Sequence, residues 1–240
     1  MQRIVDGIHQ FRREKFPEQK TMFERIANKQ QEPMALFITC SDSRFNPNLI
    51  TTTEPGDLFL LRNAGNIIPP YGAAQGGEGA TIEYAVAVLG IRHIIVCGHS
   101  NCGAMNALLN PAAVGDLPAV AEWFTYAEAT RRVVKERYGH LKGKEFERAV
   151  IEENVLVQLN NLSTHPYVTA RLANGDVKIY GWYYEIETGT VFEFDQASAM
   201  FKPLTHVAHE VMPFCINNGR NGKKPSSLHD ASMLTLAGAK

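Results

Sequence analysis

The sequence predicts an α/β fold with a mostly parallel central sheet, about four strands plus an antiparallel edge strand, flanked by helices. Three observations lead to this prediction. Short apolar runs are typical of buried strands, and segments with apolar residues at helical spacing follow them. Later in the chain, two strand-like segments surround a tight turn. Strands of a parallel sheet are buried on both faces, so their apolar runs need not alternate with polar residues.

The first part of the chain predicts a helical arm and two strands. Residues 1–30 carry apolar side chains at helical spacing with charged residues between them, which indicates one or two amphipathic helices. An apolar run at residues 34–39 then predicts a buried strand that ends at Cys40. A second strand is predicted at residues 57–62, after a Pro-Gly turn.

The next elements predict a site at one edge of the sheet. A helix is predicted at residues 80–89, and a third buried strand at 93–97 runs on to His99. Another helix is predicted to start near Cys102. Ligands of such sheets bind at the carboxyl ends of the strands. We therefore expect Cys40 and His99 to meet.

The second half predicts more helices and the edge of the sheet. Residues 117–138 and 145–172 have helical patterns, separated by a Gly-rich interruption. Two strands are predicted at 177–184 and 190–194, around a Glu-Thr-Gly turn. We predict a single domain over residues 1–216, including the arm, and a polar tail over 217–240.

Composition narrows the class of protein. Lys plus Arg number 24 and Asp plus Glu 25, a net charge of −1, so no basic surplus indicates nucleic acid as a partner. The apolar runs are far shorter than the roughly 20 residues of a membrane span, so no membrane partner is expected. The N-terminus lacks the pattern of a secretory signal, which makes the cytoplasm the expected compartment. Four cysteines do not make a disulfide scaffold.

Cysteine and histidine residues at the predicted strand ends suggest a metal site. Cys40, His99 and Cys102 offer two thiolates and one imidazole, the ligands of a zinc ion that keeps one open position. From spacing alone, buried apolar cysteines are an equally good interpretation, because a lone His-x-x-Cys is weak evidence. Placement of both segments at strand ends favours the metal.

Two charged residues follow Cys40 closely. Asp42 could accept a hydrogen bond from a zinc-bound water, or it could bind zinc itself and close the open position. Arg44 could hold Asp42 in a bidentate ion pair and so select the first role. The alternative is a solvated ion pair on a loop with no chemical role.

Five motifs, in this order and spacing, resemble the β-class carbonic anhydrases, and the resemblance covers residues 30–110 most strongly. The motifs are Cys-Ser-Asp-Ser-Arg at 40–44, Glu-Pro-Gly-Asp at 54–57, Arg-Asn-Ala-Gly-Asn at 62–66, Ile-Glu-Tyr-Ala-Val at 82–86 and Gly-His-Ser-Asn-Cys-Gly at 98–103. The resemblance implies reversible hydration of carbon dioxide to bicarbonate and a proton by a zinc-bound hydroxide.

The resemblance also implies residue roles. One zinc per subunit would be bound by Cys40, His99 and Cys102, with Asp42 and Arg44 as a catalytic dyad. Asp42 would bind zinc only in a closed, inactive state. We predict the open state near neutral pH, because the residues of the constitutively open members are matched.

A substrate pocket is implied in the same way. Gln31, Phe59 and Tyr84 occupy the pocket positions of the open members. With Ala64 they would make a small, mostly apolar pocket, and the backbone N–H of Gly103 would help to bind a substrate oxygen.

The resemblance also implies an oligomer, and two rival functions remain open. The family builds its pockets at a subunit interface, with N-terminal helices extending onto the partner subunit, so we expect a homodimer or a multiple of it, such as a homotetramer. One rival function is hydrolysis of another small heterocumulene, such as carbonyl sulfide. The other is a zinc-thiolate protein without catalysis, which would be expected to have a fourth Cys or His at the metal.

Overall fold

A six-stranded sheet forms the centre of the computed structural model, which describes residues 1–74 and 76–205. In chain order, strands β1 to β6 are Ala35–Cys40, Leu58–Asn63, His93–His99, Lys178–Glu185, Thr190–Asp195 and Met200–Pro203. The order across the sheet is β2-β1-β3-β4-β5-β6. β1 to β4 are parallel, whereas β5 and β6 are antiparallel. The predicted α/β class is confirmed, and β6 adds a second antiparallel strand.

Helices surround the sheet in the described part of the chain. Helices α1 to α9 are Gln2–Gln10, Phe16–Ala27, Pro47–Thr51, Gly77–Glu83, Gly103–Leu109, Pro118–Phe124, Glu128–Tyr138, Gly143–Leu162 and Pro166–Asn174. π-helical turns join α1 to α2 and extend α4, at Phe11–Lys15 and Tyr84–Val88. Short 3₁₀ turns lie at Pro111–Val114 and Thr125–Ala127. The sequence prediction missed α3, which is too short to show an apolar period.

The long helix α8 packs closely on the two middle strands β3 and β4. A Cβ atom on Gly98 of β3 would lie 2.6 Å from Cγ2 of Ile151. One on Gly181 of β4 would lie 2.9 Å from Cδ1 of Leu159. Any side chain at these positions would push the helix away from the strands. The two glycines therefore bring α8 within reach of the strand end at His99.

The N-terminal arm, α1 and α2, has no buried residue. Ile4 and Ile8 are each 61% exposed, and Phe11 is 41% exposed. An apolar helix face in water is unfavourable and is typical of a surface that another chain covers. The extension of the arm onto a partner subunit stays a prediction, because the structure contains one chain.

The end of the chain was predicted to be a polar tail over residues 217–240, beyond a domain ending at 216. Both boundaries lie outside the described residues, so the division into domain and tail stays a prediction. Among the helices of residues 1–74 and 76–205, none is both long and apolar enough to cross a membrane.

Candidate metal centre

The sheet topology creates the cleft in which the site lies. From β1 the chain passes to β2 on one side, and later to β3 on the other side. The connections therefore diverge between β1 and β3, and such a switch point opens a crevice at the carboxyl ends of the strands. Thr39 lies opposite Cys97 in the register, so Cys40 continues opposite Gly98, and His99 follows one residue later.

The three predicted ligands do meet in this crevice. One donor atom each from Cys40, His99 and Cys102 lie within 4.8 Å of one another. Their residues are 5%, 0% and 1% exposed. The two sulfur atoms are 3.9 Å apart, far beyond the disulfide length of about 2.05 Å, and both thiols are free. The group has the ligand types and the spacing that a zinc ion requires.

The orientation of His99 supports metal binding. Its Nδ1 lies 2.9 Å from the carbonyl oxygen of Ser100. A carbonyl only accepts, so Nδ1 carries the hydrogen and Nε2 presents a bare lone pair. Nε2 is buried and has no hydrogen-bond partner among the described residues. A buried lone pair without a partner is costly, and a metal ion between the two thiols would satisfy it.

The electrostatics of the two thiols also favour a bound cation. The neighbouring Cys102 lowers the pKa of Cys40 to about 4, helped by the backbone N–H of Gly65. That N–H lies 3.4 Å from the Cys40 sulfur. The contact with Cys40, together with burial, raises the pKa of Cys102 far above its usual range. Two adjacent thiolates repel each other, so both can be ionised only when a cation lies between them.

Asp42 and Arg44 form a tight pair beside the ligands. Nε and Nη2 of Arg44 donate to the two carboxylate oxygens of Asp42 at 2.9 and 2.6 Å, and the Arg44 backbone N–H donates at 2.9 Å. These contacts hold the pKa of Asp42 well below its usual range. Oδ2 of Asp42 lies 3.9 Å from Nε2 of His99. Arg44 also donates to the carbonyl of Asn101 at 2.9 Å, and so links the two motifs.

Two of the predicted pocket residues lie next to the ligands. Ala64 is exposed and precedes Gly65, whose N–H contacts the Cys40 sulfur. The indole Nε1 of Trp123 donates to the Ala64 carbonyl at 2.8 Å and fixes this turn. Gly103 is exposed and begins α5, directly after Cys102.

The other three pocket residues lie elsewhere in the chain. The rings of Phe59 and Tyr84 are stacked, with centroids 6.1 Å apart. Phe59 pairs with Leu36, four positions before Cys40, which is about 13 Å along the strand. Gln31 precedes β1, at the end opposite Cys40, and is exposed. The single chain thus keeps Gln31, Phe59 and Tyr84 away from its own metal site.

Sequence reasoning gave no role to Arg62, which shapes the first ligand loop. Its guanidinium donates to the carbonyls of Cys40, Asp42 and Phe45 at 3.0, 2.8 and 2.9 Å. These three bonds curl the chain around Cys40, so that Asp42 faces the ligands. The sequence signal for this role was a positively charged residue, Arg62, near the end of an otherwise apolar strand.

A ladder of side-chain amides on α8 was also missed. Asn154 donates to the carbonyl of Gly65 at 3.0 Å, and Gln158 accepts from the N–H of Ile68 at 2.8 Å. Asn161 donates to the carbonyl of Ile68 at 2.9 Å. Asn154 and Gln158 are fully buried. The signal was present in the sequence as polar residues on the buried face of a helix.

Fold and site together indicate an α/β protein in which three side chains, Cys40, His99 and Cys102, could hold one metal ion. Comparison with known proteins agrees. The family model described as carbonic anhydrase matches residues 35–191. A carbonic anhydrase of Synechocystis is 51% identical over 81% of this chain and 71% of its own length. One from Pseudomonas aeruginosa is 47% identical over 85% of this chain and 92% of its own length.

Solved structures agree as well. The β-carbonic anhydrase CcaA has a TM-score of 0.83 and 49% identity, covering 85% of this chain and 99% of that one. A tetrameric β-carbonic anhydrase from Sordaria macrospora has a TM-score of 0.72 and 28% identity, covering 80% and 95%. The chain belongs to the carbonic anhydrase family, in its β class. It is therefore a zinc-dependent enzyme that hydrates carbon dioxide.

Proposed function

We propose that Cys40, His99 and Cys102 bind one zinc ion per subunit and that Asp42 and Arg44 act as the catalytic dyad in the reversible hydration of carbon dioxide to bicarbonate and a proton. The observation that carries the proposal is the bare lone pair of His99, buried between two free thiols. Zinc with three protein ligands polarises a bound water and supplies the nucleophile at usable pH.

Asp42 orients the nucleophile. Its carboxylate is ionised throughout the working pH range, because Arg44 holds its pKa well below the usual range. An ionised carboxylate only accepts hydrogen bonds, so Asp42 would accept a hydrogen bond from the nucleophile and so direct an oxygen lone pair toward the substrate carbon. Arg44 occupies both oxygens of Asp42 and keeps them from becoming a fourth zinc ligand. This supports the open state near neutral pH.

The substrate lies between Ala64 and Gly103. Both residues are exposed and flank the thiols of Cys40 and Cys102. Ala64 offers a small apolar contact that suits a linear gas, and the N–H of Gly103, at the start of α5, is available to a substrate oxygen.

A second copy of the chain completes the pocket. Gln31, Phe59 and Tyr84 are remote from their own metal, and Tyr84 is 43% exposed. Next to them Leu60 and Val88 are 40% and 58% exposed, an apolar surface that favours association. We infer a homodimer or a multiple of it, in which each copy brings these three residues to the metal of the other. The relative from Sordaria macrospora is described as tetrameric.

The cytoplasm is the compartment that suits this site. Cys40 and Cys102 must stay reduced to bind zinc, and their sulfur atoms are near enough to make oxidation a hazard. Reducing compartments protect such pairs.

Metal content and a stopped-flow hydration assay test the proposal. Cys40→Ser should lose both stoichiometric zinc and carbon dioxide hydration. Asp42→Asn should keep zinc and lose most of the turnover. Full hydration activity in a metal-free preparation would refute the zinc mechanism. Faster turnover of carbonyl sulfide than of carbon dioxide would favour the rival substrate.

Mixing two inactive variants tests the shared pocket. One variant is Cys40→Ser, and the other combines Phe59→Ala with Tyr84→Ala. If the pocket is shared, a mixed dimer has one complete site, and random exchange of equal amounts should restore about a quarter of the wild-type activity. A mixture no more active than the sum of its parts would show that each chain builds its own pocket.

A further inference from the structure

The turn between two zinc ligands is held from outside the metal site. Ser100 and Asn101 separate His99 from Cys102. Asn101 has φ +56°, in the left-handed region, which Asn tolerates better than most residues but which still carries some strain. Strained turns of this kind persist only when surrounding contacts fix them. The contacts that fix this turn come from the hairpin between β4 and β5.

Glu187, in that hairpin, contacts both residues of the turn. One carboxylate oxygen accepts from the hydroxyl of Ser100 at 2.6 Å, and the other accepts from the side-chain amide of Asn101 at 2.6 Å. The Ser100 hydroxyl in turn accepts from the backbone N–H of Ile186 at 3.0 Å. The Ser100 backbone N–H donates to the carbonyl of Tyr184 at 2.9 Å. A single carboxylate thus bridges two side chains that lie between two metal ligands.

The same turn controls the dyad. The carbonyl of Asn101 accepts from Nη2 of Arg44, and the same Nη2 donates to Asp42. A shift of Asn101 would therefore move Arg44 and, through it, the Asp42 carboxylate. Glu187 touches none of the reacting atoms and acts on them through Ser100 next to His99, and through Asn101 and Arg44.

We propose that Glu187 is a positioning residue for the hydration reaction, which fixes the turn between His99 and Cys102 and aligns Arg44 through Asn101. The proposal rests on the dyad role proposed for Asp42 and Arg44. Outer contacts that orient metal ligands change metal affinity or activity by about 10- to 100-fold when removed.

Two conservative variants separate geometry from charge. Glu187→Gln keeps the length without the charge. Its carbonyl can accept from Ser100, and its amide can donate to Asn101 after that side chain flips. Glu187→Asp keeps the charge but is one methylene too short to reach both donors. If positioning is the role, Glu187→Gln should stay within about threefold of wild type, and Glu187→Asp should lose about 10-fold or more in kcat with KM little changed.

A matched control lies in the same hairpin. The carboxylate of Glu185 accepts from the hydroxyl of Thr188 at 2.6 Å, a contact within the hairpin. Glu185→Ala should therefore leave kcat unchanged. Glu187→Ala should lower kcat by about 10- to 100-fold. It should also release zinc to a chelator about 10-fold faster than wild type, a readout that does not need catalysis.

Glu187→Ala within twofold of wild type in both kcat and zinc release would overturn the proposal. So would an equal loss in Glu185→Ala, or Glu187→Gln as impaired as Glu187→Ala. Arg44→Leu is measured alongside. If it keeps full kcat, the proposed dyad fails, while faster zinc release from Glu187→Ala would still show that the turn depends on Glu187.

Discussion

Replacing Asn154 with leucine tests how far the metal site depends on the amide ladder of α8. Leucine has nearly the shape of asparagine, so the change removes hydrogen bonds without opening a cavity. Asn154 accepts from Thr130 at 3.1 Å and from Gln158 at 3.0 Å, and it donates to the carbonyl of Gly65 at 3.0 Å. All three partners would lose a bond in a buried setting.

The expected cost follows from those three groups. A buried polar group left unsatisfied costs about 1–3 kcal/mol. The hydroxyl of Thr130 can rotate toward another acceptor, which leaves the Gly65 carbonyl and one N–H of Gln158. We therefore expect a loss of about 3 kcal/mol in the free energy of unfolding. Because Gly65 also donates to the Cys40 sulfur, zinc release to a chelator should accelerate as well.

Urea unfolding of the zinc-loaded protein, followed by circular dichroism at one fixed protein concentration, measures this loss. Asn160→Leu is the control, because Asn160 is exposed on the same helix and its replacement should change stability by less than about 0.5 kcal/mol. If Asn154→Leu were as stable as Asn160→Leu, the ladder would contribute nothing and the reasoning would be wrong.

Four further outcomes are expected. Gly65→Ala should weaken zinc binding, because Gly65 has φ +84° and an added Cβ would lie 2.9 Å from a Met105 carbon. The control is Gly72→Ala, which has a similar φ of +80° but open space around it, so it should carry only the backbone strain. Zinc titration compares the two variants. Arg44→Leu should retain zinc and lose turnover, and a crystal structure should find the carboxylate of Asp42 free to bind zinc. The pKa of Asp42 is lowered in the folded protein, so any stability that its ionised carboxylate contributes is present above the ordinary pKa of an Asp and is lost only as the pH falls through the lowered pKa. Asp42 is therefore ionised throughout pH 6 to 9. Asp42→Asn should lower the rate across that whole range without shifting the pH–rate profile along the pH axis. The wild-type rate should rise with pH across that range, because two thiolates neutralise the zinc charge and weaken its acidifying effect on water, and a flat profile would contradict this.

Much of the fold follows from local pattern. The strands at Ala35–Cys40 and His93–His99 are continuous apolar runs, and their parallel pairing follows from the helices between them. α3 was missed because it is held by a cap rather than by an apolar face. The side chain of Asn46 accepts from the backbone N–H groups of Asn48 and Leu49 at 3.1 and 3.4 Å.

The site was predictable to the extent that it depends on strand ends. Cys40, His99 and Cys102 meet because β1 and β3 are neighbours. Contacts that join distant segments carry no local signal. Glu187 lies 86 residues after Asn101, in a turn rich in ordinary polar residues. Only the pairing of β4 with β3 brings them together.

Because Trp123 donates a hydrogen bond to Ala64 beside the metal site, its intrinsic fluorescence can report binding at that site. Trp123 lies against the turn that flanks the metal, with its indole partly exposed, so its emission should shift when zinc or an inhibitor binds. Trp182, by contrast, has its indole nitrogen buried without a hydrogen-bond partner in the described residues, and should emit at shorter wavelength. Binding can therefore be followed in the unlabelled enzyme, with Trp182 as an internal reference.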